Sequence, residues 1–144
     1  MQTLIIIDKQ AISNAGIHYL AGKTGELVEV VDAQTTKELA NLLEEHPAAL
    51  VVMDFTFLDL SMEYLLIMHE RFKQAQWMLF SEQLSNDFIR RMAFSSKAFS
   101  IVLKDATQEE IMVALVKGMH HEQYFSARVE ELSLIHISEP TRRS

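Results

Sequence analysis

The chain of 144 residues contains no cysteine and has only 4 glycines and 2 prolines. Without cysteine no disulfide can form, which suits a reducing compartment. No apolar run is long enough for a membrane span or for the core of a signal peptide, and the first strand-like run begins within three residues of Met1. We therefore expect a cytoplasmic protein that makes no contact with a membrane.

Basic residues are also scarce. The chain has 13 lysines and arginines and 20 acidic residues, which gives a net charge of −7. This balance argues against direct binding of nucleic acid by the chain, so any contact with DNA would need another domain. The length fits a single domain with a core of its own.

The main feature of the sequence is a series of apolar runs, each of which ends at a polar residue. Five such runs alternate with segments of helical period, which predicts an α/β fold: a (βα)5 three-layer sandwich around a five-stranded parallel sheet. Because the carboxyl ends of parallel strands meet at one edge of a sheet, the side chains that follow four of the runs should converge there. These side chains are Asp8, Asp54, Ser81 and Lys104.

Helix signals fill the segments between the runs. Ile12, Ile17 and Leu20 recur at helical spacing after the first strand, and Thr107 with Glu110 forms a capping box before the last helix. The segment from Phe55 to Leu60 is predicted to be a loop that exposes apolar side chains beside the site.

The converging residues fit phosphoryl transfer. A carboxylate beside a divalent cation can attack phosphorus, and an ammonium and a hydroxyl can stabilise the charge on the transferred group. In this interpretation Asp54 is the nucleophile, Lys104 the ammonium and Ser81 the hydroxyl. Mg²⁺ would be held by Asp8, Asp54 and the backbone carbonyl of Thr56, since it prefers oxygen ligands.

Several segments carry a resemblance to a known family. They are Leu4 to Gln10, Leu50 to Asp54, Trp77 to Ser81 and Ile101 to Glu110. Over about residues 3 to 128 the chain resembles the receiver (CheY-like) domain of two-component response regulators. It is most similar to the LuxR/NarL class of transcription regulators, which carry a helix-turn-helix DNA-binding domain after the receiver.

The resemblance implies a flavodoxin-like sheet with strand order 2-1-3-4-5 and a signalling module, not an enzyme. Asp54 would accept a phosphoryl group from a sensor histidine kinase, and Ser81 and Lys104 would contact that group. The receiver could form a homodimer and reach DNA only through its output domain. An alternative on the same fold is a receiver that works without phosphorylation as a dimerisation or docking module.

Two positions and one loop depart from the family pattern, the loop being Phe55 to Leu60, where the family typically has a Pro-Gly turn. Lys9 stands where a second acid is usual, so the site charges of Asp8, Lys9, Asp54 and Lys104 sum to zero. Lys9 would then weaken Mg²⁺ binding or partly replace the cation, unless its side chain points to solvent. Ile101 stands where the family often has a switch aromatic, for which Phe99 is a candidate substitute.

The final residues do not follow the βα pattern. Residues 132–144 resemble the translation of a sequencing adapter, which predicts a non-native tail. We accordingly expect a receiver over residues 1–122, the start of an interdomain linker over residues 123–131, and a C-terminal output domain that is missing.

Other function classes fit the motifs less well. A phosphatase with a nucleophilic aspartate typically needs a second aspartate two residues later, where this chain has Thr56. A module that binds a nucleotide or flavin would need a glycine-rich loop after the first strand, and Asp8 to Ala11 contains no glycine.

Overall fold

The structure, a computed structural model, describes residues 2–55 and 61–131. Strands and helices alternate along these residues, as the apolar runs and helical periods predicted. The elements in chain order are β1 (Gln2–Ile7), α1 (Ala11–Lys23), β2 (Val28–Asp32), α2 (Thr36–Glu45), β3 (Leu50–Met53), α3 (Met62–Arg71), β4 (Gln76–Ser81), α4 (Asn86–Ser95), β5 (Phe99–Leu103) and α5 (Gln108–Met119).

The strands form one parallel sheet in the order β2-β1-β3-β4-β5. The predicted α/β class and strand order are therefore confirmed. The order reverses between β1 and β3, which pair directly. Ligand sites in open parallel sheets lie at such a reversal, beyond the carboxyl ends of the strands.

Alternating residues of the strands build two separate cores. On β3, Val51 belongs to a cluster that includes Leu65 of α3 and Ile89 of α4, whereas Val52 belongs to a cluster that includes Leu115 of α5. Helices α1 and α5 thus cover one face of the sheet, and α2, α3 and α4 cover the other. A strand covered on both faces reads as a continuous apolar run, which is why the sequence pattern was clear.

Short polar side chains start four of the helices. Each N-cap hydroxyl accepts a hydrogen bond from the amide three residues later, which satisfies one of the free donors at the helix start. These N-caps are Thr35, Ser61, Ser85 and Thr107. Helix α1 differs, because its N-cap residue Gln10 makes no capping hydrogen bond with its side chain.

Two apolar side chains at the ends of secondary-structure elements lie outside the core. Ile12 is 87% exposed and Leu27 is 79% exposed. The buried side chains of α1 begin only at Ile17, so the first turn of this helix does not pack on the sheet. Leu27 precedes β2, which starts at Val28 and lies at the edge of the sheet.

The residues after α5 pack closely against β5. Phe125 forms a parallel bridge with Ile101, and a helical run begins at Ala127. Ser126 is 1% exposed and Val129 is fully buried. Residues 123–131, predicted as the start of a linker, thus contribute to the core and cover the outer edge of β5. Within the described ranges no helix is long and apolar enough to cross a membrane.

Candidate functional site

The strand ends bring the predicted polar residues together at one edge of the sheet. Asp8, Asp54 and Lys104 directly follow β1, β3 and β5, and Ser81 is the last residue of β4. Backbone hydrogen bonds continue the ladder beyond the strands, from the Asp54 amide to the Ile7 carbonyl (3.2 Å) and from the Lys104 amide to the Ser81 carbonyl (2.9 Å). The sheet itself therefore fixes where these four side chains start.

The ammonium group of Lys104 lies at the centre of the site. Its Nζ donates to Asp54 Oδ2 at 2.7 Å and to Gln10 Oε1 at 2.5 Å, and it lies 3.0 Å from Asp8 Oδ2. The ring of Phe80 lies below the ammonium, with its centroid 5.6 Å from Nζ. The Lys104 side chain is only 9% exposed, so these oxygens replace most of its water.

Ser81 contacts the other oxygen of Asp54. Its hydroxyl donates to Asp54 Oδ1 at 3.1 Å and accepts from the amide of Phe55 at 3.1 Å. Ser81 is fully buried, and Asp54 is 2% exposed. The hydroxyl and the ammonium thus approach the carboxylate of Asp54 through different oxygens.

Two carboxylates and one ammonium leave the centre of the site with a net negative charge. Asp8 Oδ1 accepts a hydrogen bond from the Gln10 amide at 2.8 Å. Asp8 Oδ2 is buried and, among the described residues, accepts no hydrogen bond, although the Lys104 ammonium is within ion-pair distance. A buried carboxylate oxygen with spare accepting capacity is a suitable ligand for a hard cation.

Two further residues were predicted to affect metal binding, Thr56 and Lys9, and the structure describes only Lys9. Thr56, whose carbonyl was predicted as a ligand, lies outside the described residues, as does most of the loop from Phe55 to Leu60. Lys9 is exposed, so its side chain is on the solvent side of the strand end. The ammonium that pairs with Asp54 belongs to Lys104.

Phe99 does not take the place of a switch aromatic near Ser81. It pairs with Trp77 at the amino end of β4, whereas Ser81 pairs with Leu103 four residues further along β5. Four residues of strand span roughly 13 Å. Phe99 is fully buried and packs against Trp77 and His69, with ring centroids 6.3 and 5.4 Å away.

Two residues next to the site were not among the predicted site residues. Gln10 contacts Lys104, and nothing in the sequence links these two residues. Ser126 accepts a hydrogen bond from the amide of Leu103, the residue before Lys104, at 3.3 Å. No periodicity or motif in the sequence points to Ser126.

Several solved response-regulator structures share this architecture. A LuxR-family response regulator from Aurantimonas sp. SI85-9A1 superposes with a TM-score of 0.77 at 17% identity, covering 95% of this chain and 98% of that one. The isolated REC domain of RcsB from Salmonella enterica serovar Typhimurium, in the presence of BeF3⁻, has a TM-score of 0.74 at 17% identity, with coverages of 91% and 97%. The chain has the receiver fold.

The receiver fold also occurs in a structure of two RcsB dimers bound to two parallel DNAs. That match has a TM-score of 0.74 at 17% identity and covers 92% of this chain and 67% of the RcsB chain. No protein-family model and no curated protein matches the chain. In this receiver fold, Asp54, Ser81 and Lys104 occupy the ends of β3, β4 and β5, where the resemblance in sequence had aligned them.

Proposed function

We propose that the chain is the receiver domain of a two-component response regulator and accepts a phosphoryl group on Asp54 from a sensor histidine kinase. The observation that carries this proposal is the environment of the Asp54 carboxylate. It is buried, and its two oxygens receive separate donors: the Ser81 hydroxyl on Oδ1 and the Lys104 ammonium on Oδ2.

The reaction is a transfer of the phosphoryl group from nitrogen to oxygen. A carboxylate oxygen of Asp54 attacks the phosphorus of a phosphohistidine, the new O–P bond forms and the N–P bond breaks. The electron pair of the broken bond stays on the imidazole nitrogen of the kinase, which takes up a proton. The product on this chain is an aspartyl phosphate.

Lys104 and Ser81 stabilise the charge that the phosphoryl group brings into the site. Both are held by the fold before the group arrives, since Ser81 is the last residue of β4 and Lys104 directly follows β5. Donors that are already oriented need little reorganisation during the reaction, which makes them effective in a site with little water. The ammonium matches the negative phosphoryl oxygens in charge, and the hydroxyl adds a neutral donor.

The carboxylates of Asp8 and Asp54 fit a bound Mg²⁺, because both are hard oxygen ligands and Asp8 Oδ2 accepts no hydrogen bond within the described residues. When bound, Mg²⁺ would neutralise charge on the phosphoryl oxygens. The described residues contain no group of three or more His, Cys, Asp or Glu side chains that could hold a metal ion. The protein would therefore supply few charged ligands, and we expect modest affinity.

The signal would pass to a DNA-binding output domain, with the receiver acting in a homodimer. The RcsB dimers bound to DNA support this proposal, because they combine the same fold with DNA binding. The net charge of −7 agrees with a receiver that leaves the DNA contact to another domain. Sedimentation analysis before and after phosphorylation tests the dimer.

Intact-mass analysis after incubation with Mg²⁺ and acetyl phosphate tests the acceptor. We expect the chain to gain the mass of one phosphoryl group, Asp54→Asn to gain none, and Asp87→Asn to react as the original chain does. Asp87 is a suitable control because its carboxylate is exposed on the first turn of α4.

The mass measurement distinguishes a receiver that is phosphorylated on Asp54 from one that works without phosphorylation. If neither the original chain nor Asp54→Asn gains mass while both remain folded, phosphorylation of Asp54 is refuted. The receiver would then act as a dimerisation or docking module, and substitution of Asp54 would leave its partners bound.

A further inference from the structure

The side chain of Gln10 binds the Lys104 ammonium from the start of α1. Its Oε1 lies 2.5 Å from Lys104 Nζ and 3.0 Å from the Ser13 hydroxyl. The backbone amide of the same residue donates to Asp8 Oδ1 at 2.8 Å. Gln10 therefore contacts both a carboxylate and the ammonium of the site.

Hydrogen-bond chemistry fixes the orientation of this amide. An ammonium group can only donate, so the atom of Gln10 that faces it must be the carbonyl oxygen. The Ser13 hydroxyl donates to the same oxygen from the first turn of α1. Since Gln10 makes no capping hydrogen bond with its side chain, its carbonyl is available to the site.

The ammonium donates two hydrogen bonds, to Asp54 Oδ2 and Gln10 Oε1, and is also within ion-pair distance of Asp8 Oδ2. An ammonium has three donors, and Lys104 has three oxygen neighbours: Asp54 Oδ2, Asp8 Oδ2 and Gln10 Oε1. The side chain of lysine is long and flexible, so the carboxylates of Asp54 and Asp8 alone would leave the ammonium free to shift between them. Gln10 provides a neutral contact from the N-cap position of α1, so it limits this motion without adding charge.

We propose that Gln10 is a positioning residue for phosphoryl transfer: with Ser13 behind it, it holds the Lys104 ammonium against Asp54. The role rests on the proposed function of Asp54, but the hold on the ammonium exists without any reaction. A misplaced ammonium would lie too far from the phosphoryl oxygens to stabilise them, since such stabilisation needs donors at hydrogen-bond distance. The step that suffers is then the transfer itself and not the binding of the phosphodonor.

The first arm of the test observes the ammonium directly. Proton and nitrogen NMR of the lysine side chains reports how fast the ammonium protons exchange with water. The signal that is lost in Lys104→Met is assigned to the Lys104 ammonium. We expect a protected Lys104 signal in the original chain and in Gln10→Glu, which keeps an oxygen at this position. In Gln10→Leu the protons should exchange at least about tenfold faster, because a hydrogen bond to a fixed acceptor is lost.

The NMR measurement includes two further variants, Ser13→Ala and Lys9→Leu. Ser13→Ala leaves Gln10 in place and removes only the hydroxyl behind it, so an intermediate exchange rate is expected. Lys9→Leu, an exposed neighbour of Gln10, should leave the signal unchanged. Equal protection of the ammonium in the original chain and in folded Gln10→Leu would overturn the proposal.

The second arm measures phosphorylation by acetyl phosphate at increasing donor concentrations. We expect Gln10→Leu to lower the maximal rate by about tenfold and to leave the half-saturating donor concentration unchanged, as loss of positioning requires. An unchanged maximal rate would also overturn the proposal. If the original chain takes no phosphoryl group, the proposed function fails, and the inference is then decided by the ammonium signal alone.

Discussion

The ring of Phe55, the residue after Asp54, lies 4.5 Å from the ring of Phe88 on α4, with an angle of 30° between their planes. Phe88 is 7% exposed and belongs to the core beneath α4. The start of the loop after Asp54 thus packs against α4, the helix that follows β4 and Ser81 in the chain.

We expect the two rings to contribute to stability as a pair. Aromatic pairs at this distance are worth about 0.5–1.5 kcal/mol beyond the area they bury. Urea unfolding of Phe55→Leu, Phe88→Leu and the double variant should therefore show a coupling free energy of that size. Phe94→Leu is the control, because Phe94 lies on the same helix but is 66% exposed. Strict additivity of the two single variants would contradict the pairing.

The buried strands were the most predictable part of the fold, and the reason is physical. A strand covered on both faces must be apolar at every position, so the runs before Asp8 and Asp54 were visible in the sequence. Because parallel strands end at one edge, the meeting of Asp8, Asp54, Ser81 and Lys104 followed from their places at the strand ends.

Contacts between residues that are far apart in the sequence were not predictable in this way. The packing of residues 123–131 on β5 depends on hydrogen bonds of the backbone, such as that from the Ile101 amide to the Tyr124 carbonyl at 3.1 Å. Backbone groups carry no sequence signal. The contact of Gln10 with Lys104 joins residues far apart in the chain, and only the folded positions of α1 and β5 reveal it.

Ser126 tests the contribution of the segment that covers β5. Its hydroxyl accepts from the buried amide of Leu103, so Ser126→Ala leaves that amide without this acceptor. We expect a loss of about 1–3 kcal/mol in the free energy of unfolding, the usual cost of an unsatisfied buried donor. The amide of Leu103 should also exchange faster with solvent in NMR.

A serine on the surface provides the matched control. Ser95 is exposed at the end of α4, so Ser95→Ala should change the free energy of unfolding by less than about 0.5 kcal/mol. If Ser126→Ala is no less stable than Ser95→Ala, the hydroxyl of Ser126 does not support β5.

Glu110 makes the same segment sensitive to acid. Hydrogen bonds from the amides of Ala127 (2.8 Å) and Thr107 (3.1 Å) to its carboxylate hold the pKa of Glu110 below its ordinary value of 4.5. A carboxyl whose pKa is lower in the folded state adds stability above its unfolded pKa, and this stability is lost as the pH falls through the folded pKa.

Glu110→Gln should therefore be less stable than the original chain at neutral pH, and the difference should shrink as the pH falls below 4.5. Urea unfolding across the acid range measures it. Gln108→Ala lies in the same turn and changes no charge, so its difference from the original chain should not depend on pH. A difference for Glu110→Gln that stays constant through the acid range would contradict the contribution of the carboxylate.

Lys9 tests how the site controls its affinity for Mg²⁺. Its side chain is exposed, next to the strand-end carboxylate of Asp8, so its charge acts on a cation through solvent as well as protein. We propose that Lys9 weakens Mg²⁺ binding. Lys9→Asp changes the local charge by two units, and we expect it to tighten binding by roughly tenfold, equivalent to about 1.4 kcal/mol.

Isothermal titration of Mg²⁺ into the original chain and Lys9→Asp measures the change. Lys97→Asp makes the same change in net charge, but Lys97 is exposed just before β5, at the opposite edge of the sheet, so it should alter the affinity much less. Equal affinities of the original chain and Lys9→Asp would show that the side chain at this position faces solvent without influence on the cation. A gain shared equally by both variants would assign the effect to net charge. A gain in Lys9→Asp alone would establish that the residue after Asp8 sets the affinity, because only its charge lies at the edge where Asp8 and Asp54 meet.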